Sequence, residues 1–351
     1  MKKSLSILSH KKNYSVHFVN DENELLQELS ILKNSVFVID SNITTLYPHL
    51  IKKINSLGTT YEMISVEQNK TLVSVENILK FFQAAHVERS TTVIAIGGGI
   101  LQDVTSFAAH IFNRGLNTVL VPTTLLAMCD SCIGGKCGVN FDGYKNQLGA
   151  FHPPDKVLIF RGFLASLLDA DMRSGYGEIL KYMLLNGREH YEKFKYFLSN
   201  QNHDHLDDYI YTGLNTKKKI IEQDEFETDL RRLLNFGHTF GHVIERATNN
   251  VIPHGIAVTK GIDLANYIAW QTGVLSEEIF YDVHSLIQKY FSFELEQTIS
   301  AEELVKNAEK DKKIRDDKLH FVLMEDFGKF KIQPLILDNA FVHMVSNYLH
   351  D

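Results

Sequence analysis

Hydrophobic and polar positions change rhythm once along this chain. In the first half, short apolar runs alternate with amphipathic stretches. Ser35 to Ile39 is an apolar run that stops at Asp40, which predicts a buried strand. Helical spacing follows from about Thr44 to Leu57, then a strand near Tyr61 to Val66 and a helix from Val73 to Ala85. The β-branched run Thr92 to Ile96 predicts a strand, Leu101 to Phe112 a helix, and Thr118 to Val121 another strand. Strand, helix and strand in that order predict a parallel sheet covered by helices. After about Arg173 the strand signals thin out. Helices are expected over Ser174–Leu185, Tyr191–Phe197, Thr216–Gln223, Thr239–Ala247, Ile256–Thr272 and Glu277–Tyr290. Asn200 to Asp208 reads as a polar loop. Leu319–Leu323 and Lys329–Gln333 read as a small hairpin around Asp326-Phe327-Gly328. The pattern predicts an α/β domain over residues 1–170 and a mostly helical domain over 171–351, with the boundary near 165–175.

Composition narrows this picture. A chain of 351 residues that is 44% hydrophobic fills one large or two ordinary domains. A net charge of −7 points away from a nucleic-acid partner but leaves room for local basic clusters that bind a small anion. The segment after Met1-Lys2-Lys3 has no long apolar run and no small-residue cleavage site, so no signal peptide, no membrane span and a cytoplasmic location are expected. Cys129, Cys132 and Cys137 are odd in number, which argues against a disulfide framework. Cys129 and Cys132 have CxxC spacing without the strand-to-helix context of a redox pair.

The candidate chemistry lies in several separate stretches. A strand running into Gly97-Gly98-Gly99, with Asp103 in the next helix, fits a pyrophosphate site or a tight turn. Asp40 at a strand end could take a ribose hydroxyl or cap a helix. Pro122-Thr123-Thr124-Leu125-Leu126, Asp130, Gly134-Gly135-Lys136 and Lys145-Asn146 are poor core material, and an anion site accounts for them. Glu178 and Lys181 share a helix face with apolar flanks, so a buried carboxylate held by a cation or a metal is expected in preference to a surface ion pair. His238 and His242 lie one helical turn apart, each preceded by a glycine, Gly237 and Gly241, that lets a substrate or another backbone come close. Such a pair can be a hydrogen-bonded core feature, metal ligands, or proton carriers. Glu178, His238 and His254 together make a His₂Glu set with an open fourth position, the pattern of a catalytic zinc site, although sixteen histidines offer other choices. Lys217, Arg231 and Asn235 add donors, and Arg231 shares a face with His238 if that helix starts early. Asp311-Lys312-Lys313 alone reads as a solvated face.

In this order these motifs resemble 3-dehydroquinate synthase and its sugar-phosphate cyclase relatives, from about Asp40 to Gly328. The specific parts are Gly97-Gly98-Gly99-x-x-x-Asp103, Arg114-Gly115, Pro122 to Leu126, Asp130 to Lys136, Lys145-Asn146 with Gly149-Ala150-Phe151, and Glu178-x-x-Lys181-Tyr182. Asp224-Glu225, Leu230-Arg231, Asn235-x-Gly237-His238-x-x-Gly241-His242, His254-Gly255-x-Ala257-Val258 and Asp311-Lys312-Lys313 complete them.

The resemblance implies a Rossmann-like NAD-binding domain followed by a helical metal and substrate domain. It implies Glu178, His238 and His254 as ligands of a divalent metal, Zn²⁺ or alternatively Co²⁺. It implies Asp40, Glu67, Lys70, Gly98, Gly99, Asp103, Thr123, Thr124, Lys136, Lys145, Phe163 and Ser166 as NAD contacts. Asp130, Lys136, Asn146 and Lys181 would face the substrate. Lys217 and Arg231 would grip its carboxylate, and Asn235, His242, Lys312 and Lys313 would meet its phosphate. Arg114 would reach across from the second subunit of a homodimer. The implied reaction turns 3-deoxy-D-arabino-heptulosonate 7-phosphate into 3-dehydroquinate and phosphate, a step of the shikimate pathway to aromatic amino acids. Transient oxidation by NAD acidifies a C–H, phosphate leaves, the hydride returns, and an aldol closure forms the ring.

Gln102, Ser106, Tyr176-Gly177, Met183, Ile256, Asp316 and Asp317 depart from the usual family pattern, as a divergent branch would. Three alternatives therefore stand: a cyclase making 2-deoxy-scyllo-inosose or a valiolone, a glycerol-dehydrogenase-like alcohol dehydrogenase, and a non-catalytic nucleotide-binding homologue. The first lacks a need for Lys217 with Arg231, the second lacks the phosphate-binding lysines, and the third lacks a need for intact Glu178, His238, His242 and His254.

Overall fold

A computed structural model of the chain describes residues 3–200, 205–248, 251–293, 300–309, 314–315 and 318–350. The chain divides into two compact units, Met1–Leu168 and Asp169–Asp351.

The first unit contains strands β1 (Ser4–Ile7), β2 (Tyr14–Val19), β3 (Ser35–Asp40), β4 (Thr59–Met63), β5 (Thr92–Gly97), β6 (Asn117–Pro122), β7 (Lys136–Phe141), β8 (Tyr144–Phe151) and β9 (Lys156–Phe160). Its helices are α1 (Glu22–Ser30), α2 (Ser41–Leu46), α3 (Pro48–Asn55), α4 (Leu72–Ala84) and α5 (Gly99–Ile111). Seven strands form one sheet in the order β1-β2-β9-β6-β5-β3-β4. All neighbours are parallel except the edge pair β1 and β2. Val36 to Ile39 and Val93 to Ile96 are buried, as expected of central strands covered on both faces. From β3 the chain steps outward to β4, then returns to the other side of β3 as β5. That reversal is the topological switch point at which open α/β sheets bind ligands, outside the carboxyl ends of the strands.

The helix expected over residues 44–57 is two helices. Pro48 starts the second, and it disfavours helical geometry at Tyr47, which sits at φ −125°, ψ 52°. Residues 64–66, expected at the end of a strand, lie beyond β4.

The second unit contains α6 (Asp169–Asn186), α7 (Arg188–Asn200), α8 (Leu206–Ile221), α9 (His238–Ala247), α10 (His254–Gln271), α11 (Glu277–Phe291), α12 (Ala301–Glu309) and α13 (Asn339–His350). A small antiparallel sheet joins β10 (Ile314–Arg315), β11 (Lys318–Asp326) and β12 (Lys329–Leu335). The expected hairpin is present: Asp326 pairs with Lys329, and Gly328 supplies the positive φ of 75° that a two-residue loop needs. The helix expected from Thr216 begins ten residues earlier, so Leu206 to Asp208 are helical and not loop. Lys312 and Lys313, with Asp311, lie outside the described residues.

Candidate metal centre and cofactor cradle

Three helices of the second unit, α6, α9 and α10, meet where side chains are smallest. A Cβ on Gly177 would lie 2.3 Å from the Gly255 carbonyl oxygen, and one on Gly255 would lie 1.8 Å from that of Ser174. A Cβ on Gly261 would lie 1.9 Å from the Gly237 oxygen, and one on Gly241 3.0 Å from Val258 Cα. The glycines before the two histidines therefore admit another backbone, that of α10. Gly237 also has φ 78°, so it ends the short helical turn Leu230–Asn235 and α9 begins afresh at His238. Arg231 and Asn235 are thus not on the helix of His238, and the shared face expected from their spacing does not exist.

This close packing gathers four side chains. Glu178 has no exposed surface; its Oε1 lies 3.2 Å from His254 Nε2 and 3.4 Å from His238 Nε2. Its Oε2 lies 2.5 Å from Lys181 Nζ, and neither oxygen has a hydrogen bond of regular geometry. The ring centroid of His242 is 5.4 Å from that of His238 and 5.8 Å from that of His254. A nitrogen from each of the three imidazoles falls within 4.8 Å of the others. A buried carboxylate without regular hydrogen bonds, facing converging imidazoles, fits a divalent cation of borderline softness.

The electrostatics are strongly coupled. Burial opposes charge on Glu178, but Lys181 and the two imidazoles outweigh it and hold the carboxyl well below its ordinary range. Burial and the charge of Lys181 lower His238. Burial works against charge on His254 too, yet the neighbouring carboxylates of Glu178 and Glu245 raise it to about 10. A cation held by these groups would compete with the proton they favour on His254.

The second ring nitrogens are also engaged. His238 Nδ1 lies 3.1 Å from the Phe236 carbonyl oxygen, and His254 Nδ1 lies 3.1 Å from Glu245 Oε2. Sequence reasoning missed Glu245, although it follows His238 by two helical turns on the same face.

Arg231 and Asn235 are set by a turn that sequence reasoning named without explaining. Asp224 accepts hydrogen bonds from the backbone N–H groups of Thr228 (2.9 Å), Asp229 (2.8 Å) and Arg231 (2.9 Å). The Arg231 guanidinium, almost fully buried, donates to the Glu225 carbonyl. Asn235 Nδ2 donates to Glu227 Oε1 at 2.5 Å, and Glu227 has a φ of 62°. Lys217 is buried on α8.

Burial raises the Asp224 carboxyl, but the three backbone donors outweigh it and hold the pKa at about 2, against an ordinary 3.8. A pKa depressed by folding stabilises the fold above the unfolded value and ceases to do so as pH falls through the folded one. We expect Asp224→Ala to lose about 2 kcal/mol at neutral pH. In urea titrations the gap from the parent should narrow as pH falls from about 4 towards about 2. A gap independent of pH would contradict this account of the turn.

In the first unit the expected cofactor residues line the carboxyl edge of the sheet. Ile39 pairs with Ile96, Ile96 with Val121 and Gly97 with Pro122, so Asp40, Gly97–Gly99 and Thr123–Thr124 end neighbouring strands at one level. The glycine run is not a positive-φ turn. A Cβ on Gly98 would sit 3.1 Å from Thr124 Cγ2, and one on Gly99 3.0 Å from Ser131 Oγ, so the glycines keep the start of α5 close to the turn after β6. Asp40 accepts from the backbone of Asn42 at 3.0 Å and caps α2.

The hairpin of β7 and β8 is lashed beside this edge. Lys70 Nζ lies 2.5 Å from Asp103 Oδ2 and donates to Asn146 Oδ1 at 2.5 Å. Asn140, which sequence reasoning missed, donates to Glu67 Oε1 at 2.7 Å and accepts from the Asn146 backbone at 2.9 Å. Lys145 Nζ lies 4.0 Å from Glu67. Tyr47, also missed, holds the turn of Phe163 and Ser166: its hydroxyl lies 3.0 Å from the Phe163 carbonyl and 2.8 Å from Ser166 Oγ. Asp130 lies in a wide helical turn closed by the Cys132 N–H on the Ala127 carbonyl, 3.2 Å. Lys136 is exposed at the start of β7. Cys129 and Cys132 are buried with their thiols on backbone carbonyls, and burial pushes Cys137 up to about 12. None of the three is poised for redox work.

The departures from the family pattern have structural roles. Ile256 is fully buried in α10, Met183 is in the core, and Tyr176 packs on Phe194 and Phe197. Gln102 is buried and donates to the Gly97 carbonyl at 3.2 Å. Ser106 is buried on α5. Asp316 and Asp317 lie outside the described residues.

Known proteins match this arrangement. Residues 60–174 match the family model "3-dehydroquinate synthase N-terminal", and residues 175–314 match "3-dehydroquinate synthase C-terminal". A 3-dehydroquinate synthase from Campylobacter fetus subsp. fetus is 35% identical over 349 residues, covering 97% of each chain. One from Campylobacter hominis is 34% identical over 310 residues, covering 87% of this chain and 90% of its own. Among solved structures, 2-epi-5-epi-valiolone synthase from Streptomyces hygroscopicus subsp. jinggangensis, with NAD⁺ and Zn²⁺ bound, superposes with a TM-score of 0.82. It is 26% identical, covering 98% of this chain and 99% of that one.

Proposed function

We propose that this chain, which belongs to the 3-dehydroquinate synthase family, converts 3-deoxy-D-arabino-heptulosonate 7-phosphate into 3-dehydroquinate and phosphate. The enzyme would be a carbon–oxygen lyase of the shikimate pathway that eliminates phosphate without net redox change. One observation carries the reading: Glu178, His238, His242 and His254 converge in the unit that also buries Lys217 and Arg231. A keto-acid substrate needs that Lys–Arg pair for its carboxylate, whereas a sugar phosphate without a carboxylate does not.

Bound to these residues, NAD would supply reversible hydride acceptance, and a divalent cation, Zn²⁺ or Co²⁺, would supply a Lewis acid. Glu178, His238 and His254 would hold the cation. The carboxyl edge of the sheet, from Asp40 through Gly98, Gly99, Thr123 and Thr124 to Phe163 and Ser166, would hold NAD, with Glu67, Lys70, Asp103, Lys136 and Lys145 around it. Lys217 and Arg231 would fix the substrate carboxylate. Asn235 and His242 would meet the phosphate, joined by Lys312 and Lys313. His242, one turn from His238, would carry a proton on its imidazole as the phosphate leaves. Asp130, Lys136, Asn146 and Lys181 would orient the substrate's hydroxyls and neutralise charge. Arg114 is exposed in a turn where Asn113, Arg114 and Gly115 all have positive φ, 48°, 64° and 112°, which suits presentation to the second copy of a homodimer.

The test is phosphate release. With NAD and Zn²⁺ supplied, 3-deoxy-D-arabino-heptulosonate 7-phosphate should yield stoichiometric phosphate and no accumulating NADH. Release from glucose 6-phosphate or sedoheptulose 7-phosphate instead would assign a related cyclase. Net NADH production from a simple alcohol would assign a dehydrogenase.

A further inference from the structure

We infer that Glu245 is a positioning residue: it orients His254 and strengthens it as a metal ligand. The inference rests on the ligand set proposed above. Glu245 lies on α9 and is buried, and its Oε2 is 3.1 Å from His254 Nδ1. The other nitrogen of that ring, Nε2, is 3.2 Å from Glu178 Oε1. The imidazole therefore spans two carboxylates. With Nδ1–H donating to the Glu245 carboxylate, loss of the proton on Nε2 would leave its lone pair directed to the place where Glu178 and His238 meet.

His238 is supported differently, by the neutral carbonyl of Phe236 at 3.1 Å. A carboxylate polarises an imidazole N–H more than a carbonyl does, so His254 becomes the stronger donor of the two. It also has more need of support. His254 is the first residue of α10, its side chain is 31% exposed, and the preceding cap position makes no side-chain hydrogen bond. His238 is 12% exposed. Because α9 carries both His238 and Glu245, one rigid helix sets the position of one ligand directly and the orientation of the other through its carboxylate.

The test compares the parent with Glu245→Gln and Glu245→Ala. Zn²⁺ affinity is measured by competition with a chromophoric chelator, and ligand geometry by the visible spectrum of the Co²⁺-loaded protein. Glu245→Ala should bind Zn²⁺ 10- to 100-fold more weakly and shift the Co²⁺ bands, as loss of such support does elsewhere. Glu245→Gln keeps an acceptor oxygen without the charge and should fall between. Parental affinity and bands in a folded Glu245→Ala protein would overturn the inference. The ligand set would survive that result if His254→Ala still abolished binding. A parent chain that binds no Zn²⁺ would sink both. Should the alanine variant not fold, Glu245→Gln decides: unchanged affinity and spectrum count against the inference.

Discussion

His254→Ala should purify folded and empty of metal. Structural zinc sites contribute about 10–16 kcal/mol over their donors, so one donor among three or four is worth about 3 kcal/mol, or ~10²-fold in affinity. Here the loss is compounded. Removing His254 takes away the imidazole nearest Glu178 Oε1 and leaves Glu245 without the ring it orients. The fold should survive, because the fully buried Glu178 keeps Lys181 at 2.5 Å and is not left as a lone charge. Metal analysis of dialysed protein, with circular dichroism as the folding control, reads the result. The arrangement of His242 makes a paired variant necessary, since its ring lies about as close to His238 as that of His254 does, 5.4 Å in each case. His242→Ala should keep its metal and lose phosphate release. Full metal content in His254→Ala, with an empty His242→Ala, would reverse the assignment of the two histidines.

That ambiguity shows where sequence and structure part. The parallel sheet was legible because its central strands, Ser35–Asp40 and Thr92–Gly97, are apolar on both faces and announce themselves. Tyr14–Val19 was not, because Ser15 and His17 interrupt its apolar run. The hairpin of Lys136–Phe141 and Tyr144–Phe151 was read only as an anion-binding stretch. Its Asp142-Gly143 turn, with φ of 50° and 76°, was nonetheless a hairpin signal.

At the site, residue types that imply chemistry by themselves were legible: the histidines, Glu178, the lysines and the glycine run. Residues that act through others were not. Glu245, Asn140 and Tyr47, and Asp224 beyond its place in the family pattern, acquire meaning only from partners brought near by folding: 9 positions away for Glu245, 6 and 73 for Asn140, 116 and 119 for Tyr47, and 4 to 7 for Asp224. Composition carries no trace of such pairings. The helical face expected to join Arg231 with His238 failed for a related reason. A periodicity argument assumes an unbroken helix, and Phe236 at ψ 123° followed by Gly237 at φ 78° breaks it.

Gly255→Ala should be among the most damaging single substitutions in the second unit, against the usual sign. In an ordinary helix interior the change from glycine to alanine stabilises by about 1 kcal/mol. Here the new Cβ would stand 1.8 Å from the Ser174 carbonyl oxygen and 2.6 Å from its carbon, and backbone cannot swing away as a side-chain tip can. Relief requires α6 and α10 to separate by about 1 Å or more, which should cost about 3 kcal/mol and exceed the helical gain. The same movement would break the hydrogen bond from Gly255 N–H to Ser174 Oγ, now 2.9 Å. It would also act directly on the site, because His254 precedes Gly255 and Glu178 follows Gly177, whose own Cβ would meet the Gly255 oxygen at 2.3 Å. A shift of that size at a catalytic constellation costs about 10²-fold in rate. Gly255→Ala should therefore melt well below the parent and lose most of its metal and activity. Ile256→Val, one residue on and fully buried, is the control: trimming one methyl should cost about 1 kcal/mol and leave metal binding intact. Parental stability and metal content in Gly255→Ala would mean that the helices yield at this contact, and that the glycine does not set the distance between Glu178 and His254.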